Sequence, residues 1–261
     1  MISIKQRLAR EHNRAYKLWM RLLWRCYGMD SPLVLMVHGF KPAKEECKNA
    51  FELSSASFGR LMSFFMDNGW KALTLDELEL MIAQRRWQSK CFHLTFDDTY
   101  DTVFTDAYPI LKRYGIPFTM FVTKDLVDKP GYITMEHLKL LAKDPLCSIG
   151  GHGVQHVVFR NLSDEEMREQ CVGGKRWLEQ ELGVDVKTFA FPYGRVVEVS
   201  NSNRKMIRKM GFKMAFSAIE GSVRASWYTG LYFIPRVNVS ETFVEKFTQG
   251  KRLLYKDCEG R

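Results

Sequence analysis

Two aspartates stand side by side at the end of the run CFHLTFDD, at positions 97 and 98. Further on, IGGHGVQH places His152 and His156 four residues apart behind a glycine-rich lead. One carboxylate and two imidazoles form a three-ligand set for a divalent metal, with positions left open for water and substrate. A water activated by such a metal needs a second carboxylate to take its proton. Adjacent residues at a strand end point in different directions, so one aspartate can be a ligand and its neighbour a base. On a helix, the HxxxH spacing would set both imidazoles on one face. Each feature also has a plainer reading. An Asp pair can cap a helix or line a solvated turn, and two histidines at this spacing are often unrelated.

These residues need elements that deliver them to one place. Short, continuous apolar runs at 33–40, 91–96, 117–123, 146–151, 186–191, 213–218 and 232–239 read as strands buried on both faces. Between them lie helical patterns at 57–69, 75–87, 103–115, 134–144, 163–183 and 203–211, with one more closing the set near 241–250. Ser57, Thr134 and Ser163 are expected N-caps, the last with Glu166 in a capping box, and Gly69 and Gly115 are expected stops. Alternating strands and helices predict an α/β fold with a parallel sheet, in which functional groups collect past the C-terminal ends of strands. His38, Asp97, Asp98, His152 and the PYG at 192–194 all fall at such ends.

A chain of 261 residues with 46% hydrophobic content suits one sizeable domain. No apolar run approaches the ~20 residues of a membrane-spanning helix, and the first residues lack the apolar core of a secretory signal. A cytoplasmic protein is the expectation. The six cysteines show no CxxC spacing, and Cys91 and Cys147 sit in apolar runs as buried thiols. The net charge of +9 lies at the ends: residues 1–25 carry seven Lys/Arg against one Glu, and residues 246–261 carry five against two acids. Arg7, Arg10, Arg14, Lys17, Arg21 and Arg25 recur at steps of three and four, beside a stripe of Leu8, Ala15, Trp19 and Leu22. A basic amphipathic helix at 1–30 follows, either packed on the domain or lying on an anionic inner membrane surface. The expected division is this helix, a domain over 31–245, and a basic tail over 246–261.

The ordered set TFDD, AYPILKRYGIPFTMFV, HGVQH and FAFPYG resembles the polysaccharide deacetylases of carbohydrate esterase family four, over about residues 33–245. The resemblance implies a distorted (β/α)7 barrel with parallel strands. It implies that Asp98, His152 and His156 bind the metal, that Asp97 is the base, and that the Tyr193 N–H helps hold an oxyanion. The implied activity is removal of an acetyl group from an N-acetylated amino sugar in a polysaccharide or glycoconjugate, with a metal-bound water as nucleophile. By ligand type the metal is expected to be Zn, with Co, Mn or Ni also fitting. The expected partner is the glycan, not a nucleic acid.

Four departures from that pattern stand out. Thr99 replaces a usual Gly, Gly153 replaces a usual Ser or Thr, and Ala190 stands where an Arg commonly pairs with the catalytic Asp. No His follows His156 to supply the late general acid. LMVHGF resembles the first strand of the poly-β-1,6-N-acetylglucosamine deacetylase subgroup, which makes His38 the candidate acid, and Arg236 in IPRVNV the candidate partner of Asp97. The plainer readings are a structural His at a strand end and a surface salt bridge. Alternatives to an N-deacetylase are an O-acetyl esterase, a non-catalytic glycan-binding barrel, and a non-haem iron oxygenase; the α/β alternation disfavours the last.

Overall fold

Seven parallel strands close into a ring in the computed structural model, which describes Leu18, Leu22 and residues 31–41, 51, 53–226, 230–251 and 253. The strands are β1 (Leu33–Val37), β2 (Phe40–Lys41), β3 (Leu53–Ser54), β4 (Lys71–Ala72), β5 (Cys91–Phe96), β6 (Phe118–Val122), β7 (Cys147–Gly151), β8 (Thr188–Ala190), β9 (Met214–Glu220) and β10 (Ile234–Asn238). The ring runs β1, β5, β6, β7, β8, β9, β10 and back to β1. β4 pairs with the start of β5, and β2 pairs with β3 apart from the ring. This is the distorted (β/α)7 barrel expected from the sequence.

Strand pleating splits the core in two. On β5, Phe92, Leu94 and Phe96 face outward into the layer between strands and helices, with Phe58, Phe65 and Phe118. The alternate residues Cys91, His93, Thr95 and Asp97 face the barrel interior. Cys91 shares that interior with Val34, Phe121, Phe216 and Ile234. The helix Leu75–Gln84 contributes Leu78 and Ile82 to the same cluster and so closes one end of the barrel. The sequence pattern of strands apolar on both sides follows from these two buried layers.

Several expected boundaries shift. The helix expected at 57–69 runs Ser55–Asp67 with Ser54 as its N-cap; Ser57 instead bonds the Glu241 carboxylate. Thr134 and Ser163 do cap their helices, the latter in a full capping box with Glu166. The region 103–115 opens as a π-turn at Val103–Ala107 before the α-helix Tyr108–Tyr114. Pro109 has no N–H for the carbonyl one turn back, and a widened turn absorbs that loss. A second π-turn, Glu169–Gly173, interrupts the long helix between Asp164 and Leu182. The last helix, Glu241–Thr248, crosses the boundary expected at 245 and buries Phe247 against Phe65 and Trp70. The expected N-terminal helix lies outside the described residues except for Leu18 and Leu22, which are helical and exposed.

Candidate metal centre

Asp98 Oδ1 lies 3.2 Å from His152 Nε2 and 3.1 Å from His156 Nε2. The three ligand atoms fall within 4.8 Å of one another. His152 Nδ1 is 2.8 Å from the Ala190 carbonyl. A carbonyl can only accept, so Nδ1 carries a proton, and the neutral ring turns its Nε2 lone pair toward Asp98. A lone pair at 3.2 Å from a carboxylate oxygen repels it unless a cation sits among them. Donor type and geometry therefore both fit a divalent metal. The same cluster sets the protonation equilibria. Were the two imidazoles protonated, they would instead donate to Asp98, and those bonds would hold its pKa well below the usual carboxylate range against the upward push of burial. Burial would lower the pKa of His152, yet Asp97 and Asp98 outweigh it and raise it.

The two histidines are not on a helix. His152 follows β7 and is tied to β6 through its N–H to the Val122 carbonyl, 2.8 Å. Residues 152–158 are irregular. Gly153 has φ +92, and a Cβ there would meet the Gln155 carbonyl oxygen at 2.9 Å. A left-handed residue this close to backbone turns the chain too sharply for a helix, and only glycine fits. The loop thus reaches the same convergence of rings by a different route. It also explains why a hydroxyl-bearing residue is missing at 153.

Asp97 takes a different partner. Arg236 is fully buried and grips it with a fork, Nη1 to Oδ1 at 2.7 Å and Nη2 to Oδ2 at 2.6 Å. The fork is fixed from behind by Nε to the Ser217 carbonyl at 2.8 Å and by Nη1 to Thr95 Oγ1 at 3.0 Å. This is no surface salt bridge. Burial would raise the Asp97 pKa, but the Arg236 charge prevails and lowers it. Ala190 points into the interior layer, so the guanidinium comes from β10 and not from β8.

His38 stands past the end of β1, its Nε2 4.0 Å from Asp98 Oδ2. Its ring meets Phe51 edge-on at 4.8 Å, and its buried Nδ1 has no hydrogen-bond partner among the described residues. Burial lowers its pKa. Tyr193 has φ +58 in the loop after β8, and its ring packs on His156 at 4.5 Å. The following Gly194, φ +57, has room for no side chain: a Cβ would lie 2.5 Å from the Ala218 nitrogen. His38, Asp97, Asp98, His152, His156 and Tyr193 all line one cavity of about 680 Å³.

Asp98 and Thr99 both have left-handed backbones, φ +64 and +62. Such strain in two successive non-glycine residues persists only when neighbours fix it. Here Thr99 Oγ1 accepts the Thr123 N–H at 2.8 Å, and the Thr99 carbonyl accepts the Ile133 N–H at 2.8 Å. The hydroxyl gives Thr99 a function that the usual glycine would lack. The sequence reading also passed over Tyr100, Arg195 and Glu220, which line the cavity. Glu220 ends β9, so the rule that placed the other residues at strand ends would have found it had that strand been read two residues longer. Tyr100 and Arg195 directly follow the motifs already singled out, and adjacency was the only signal.

Comparison with known proteins bears on this centre. The family model described as polysaccharide deacetylase matches residues 84–215. The Bacillus subtilis protein YxkH, whose name places it among the polysaccharide deacetylases, is 29% identical over 79% of this chain and 71% of its own. A Staphylococcus aureus poly-β-1,6-N-acetyl-D-glucosamine N-deacetylase is 26% identical over 79% of this chain and 73% of its own. Among solved structures, IcaB from Ammonifex degensii superposes with a TM-score of 0.71 at 25% identity, covering 84% of this chain and 96% of that one.

Proposed function

Because the chain belongs to the polysaccharide deacetylase family, we propose that it removes the acetyl group from an N-acetylated amino sugar in a polysaccharide or glycoconjugate, with Asp98, His152 and His156 holding a divalent metal. One observation carries this reading. The adjacent carboxylates are divided, Asp98 facing two imidazoles and Asp97 facing a guanidinium. Zn is the metal of choice by donor type. Such a metal, when bound, polarises the acetyl carbonyl and makes water a nucleophile near neutral pH.

The chain's own residues supply the rest. Asp97 is ionised and its plane is fixed by Arg236, so it accepts the water's proton from a set direction. The fork favours orientation over basicity, since the same guanidinium lowers the Asp97 pKa. The Tyr193 N–H stabilises the developing oxyanion. His38, opposite Asp98, delivers a proton from Nε2 to the departing amine. Without that proton the tetrahedral intermediate would revert to the amide. Phe51 and Tyr193 at the rim offer apolar faces to a sugar ring.

The substrate class draws support from the Staphylococcus aureus relative, which is named for an N-acetylglucosamine polymer. The basic residues at 1–25 support a cytoplasmic protein held at the inner membrane surface, where a lipid-linked glycan would be presented. The test is acetate release by Zn²⁺-loaded protein from N-acetylated and O-acetylated oligosaccharides. Release from the N-acetylated set supports the reading. Release from O-acetylated sugars alone makes it an esterase, and release from neither overturns the assignment.

A further inference from the structure

His152 and His156 are held by different means. His152 is anchored at the end of β7 by its own N–H and by Nδ1. His156 lies four residues farther along an irregular loop and has no strand to hold it. Its position depends on what fixes the backbone between the two. Amides of the turn Lys124–Leu126 hold one side: Lys124 N–H donates to the Gly153 carbonyl at 3.2 Å and Asp125 N–H to the Val154 carbonyl at 2.9 Å. Those bonds stop at Val154. The next residue, Gln155, donates its N–H to Gln170 Oε1 at 2.8 Å. That bond holds the amide immediately before His156.

Gln170 is placed for this contact. It is buried, at 9% exposure, in the π-turn Glu169–Gly173. The wider turn shifts the helix register there, and Gly174 follows at the contact. A Cβ on Gly174 would lie 3.4 Å from the Gly153 carbonyl, and a Cβ on Gly153 would lie 3.2 Å from Gln170 Oε1. The helix face and the loop are therefore packed backbone to backbone around one side-chain oxygen. A buried glutamine often does no more than satisfy a stray amide. Here the amide belongs to the residue next to a candidate ligand, in a loop that makes no strand pairing.

We infer that Gln170 is a positioning residue for the metal centre, holding His156 in register with Asp98 and His152 through the Gln155 amide. The inference rests on the metal centre proposed above. Residues that orient metal ligands in this way are typically worth about 10–100-fold in metal affinity.

The test is chelator-competition titration with Zn²⁺ on the parental protein, Gln170→Met and Gln170→Glu, together with the visible absorption of their Co²⁺ forms. Met removes the acceptor at similar volume, whereas Glu keeps an acceptor oxygen. Gln170→Met is expected to raise the Zn²⁺ dissociation constant about tenfold or more and to change the Co²⁺ spectrum, and Gln170→Glu to retain both parental values. A merely structural glutamine would lower the melting temperature of metal-free protein and leave the affinity and spectrum unmoved. If Gln170→Met does not fold, Gln170→Glu decides: parental affinity supports the inference and a tenfold loss overturns it. Equal losses in both variants also overturn it. A parental protein that binds no Zn²⁺ overturns the metal centre itself, whereas parental binding matched by Gln170→Met overturns this inference alone.

Discussion

Asp97 and Asp98 are adjacent in the chain, yet their carboxylates face different partners, and substitutions should separate them. Asp98→Ala, His152→Ala and His156→Ala are each expected to abolish stoichiometric Zn²⁺ binding while the fold persists, as an open site need not hold a fold together. Asp97→Asn and His38→Ala should keep the metal and lose turnover, by ~10²–10⁴-fold for loss of acid–base help. Metal analysis beside acetate release reads both, and a His38→Ala protein with parental turnover would remove that residue from the chemistry. Arg236 makes a second prediction. Removing one member of a buried ion pair leaves the other charge stranded, at a cost of about 3–5 kcal/mol. Arg236→Met should therefore destabilise the protein by that order in urea unfolding. The double variant with Asp97→Asn should recover part of the loss, because no buried charge is left without a partner. If the double variant is no more stable than Arg236→Met, the two residues are not coupled as the fork implies.

At the scale of elements, the turn after β5 carries two strained residues and one hydroxyl that holds them. Thr99→Val keeps the shape and the left-handed backbone but strips the acceptor from the buried Thr123 N–H. An unsatisfied buried donor costs about 1–3 kcal/mol. The expected result is a loss of that size in urea unfolding, with weakened Zn²⁺ binding because Asp98 shares the turn. A Thr99→Val protein as stable as the parent would mean that the hydroxyl does not hold the strain. This turn also marks a limit of what the sequence discloses. The strands and the rim residues at their ends were legible, because apolar runs and Gly/Ser/Thr punctuation report local structure directly. The two π-turns were not, since they keep helical composition and differ only in the hydrogen-bond ladder. The route by which HxxxH brings its rings together stayed open for a related reason: spacing alone cannot separate a helix from a glycine-led loop that brings the same atoms together. Arg236 could be named from its sequence, but only the inward face of β10 and the small Ala190 show why it is buried. Gln170 gave no signal, because it serves an amide that is its neighbour only in space.

For the molecule as a whole, the barrel interior carries a titratable group far from the chemistry. His93 lies between β4 and β6, with Nδ1 2.8 Å from the Leu73 carbonyl and Nε2 3.0 Å from Thr119 Oγ1. Burial pushes its pKa down to about 4 from an ordinary 6.5. The folded state therefore binds fewer protons than the unfolded state between those values, and stability falls as pH drops from 6.5 toward 4. The full effect is on the order of 3 kcal/mol. Urea unfolding across that window should show a shallower pH slope for His93→Gln than for the parent, and parallel slopes would sink the idea. The depressed carboxylates add to the slope below about pH 5, and comparison with His93→Gln cancels that common contribution. The other whole-molecule question is where the enzyme works. Among the described residues no helix is long and apolar enough to cross a membrane. Leu22 of the N-terminal apolar stripe and the neighbouring Leu18 are 57% and 69% exposed. Six Lys/Arg recur beside that stripe between residues 7 and 25. Each basic group near an anionic surface contributes about 1 kcal/mol, and the effect decays over a Debye length. Residues 1–25 are therefore expected to hold the full chain on vesicles of phosphatidylglycerol and phosphatidylcholine at low salt, and to release it at high salt. A chain beginning at Asp30 should stay in the supernatant after sedimentation, with its acetate release from soluble oligosaccharides unchanged. If the truncated chain pellets as well, the membrane contact lies on the barrel. If both remain in solution, the basic stripe is only solvated and the substrate need not be membrane-bound.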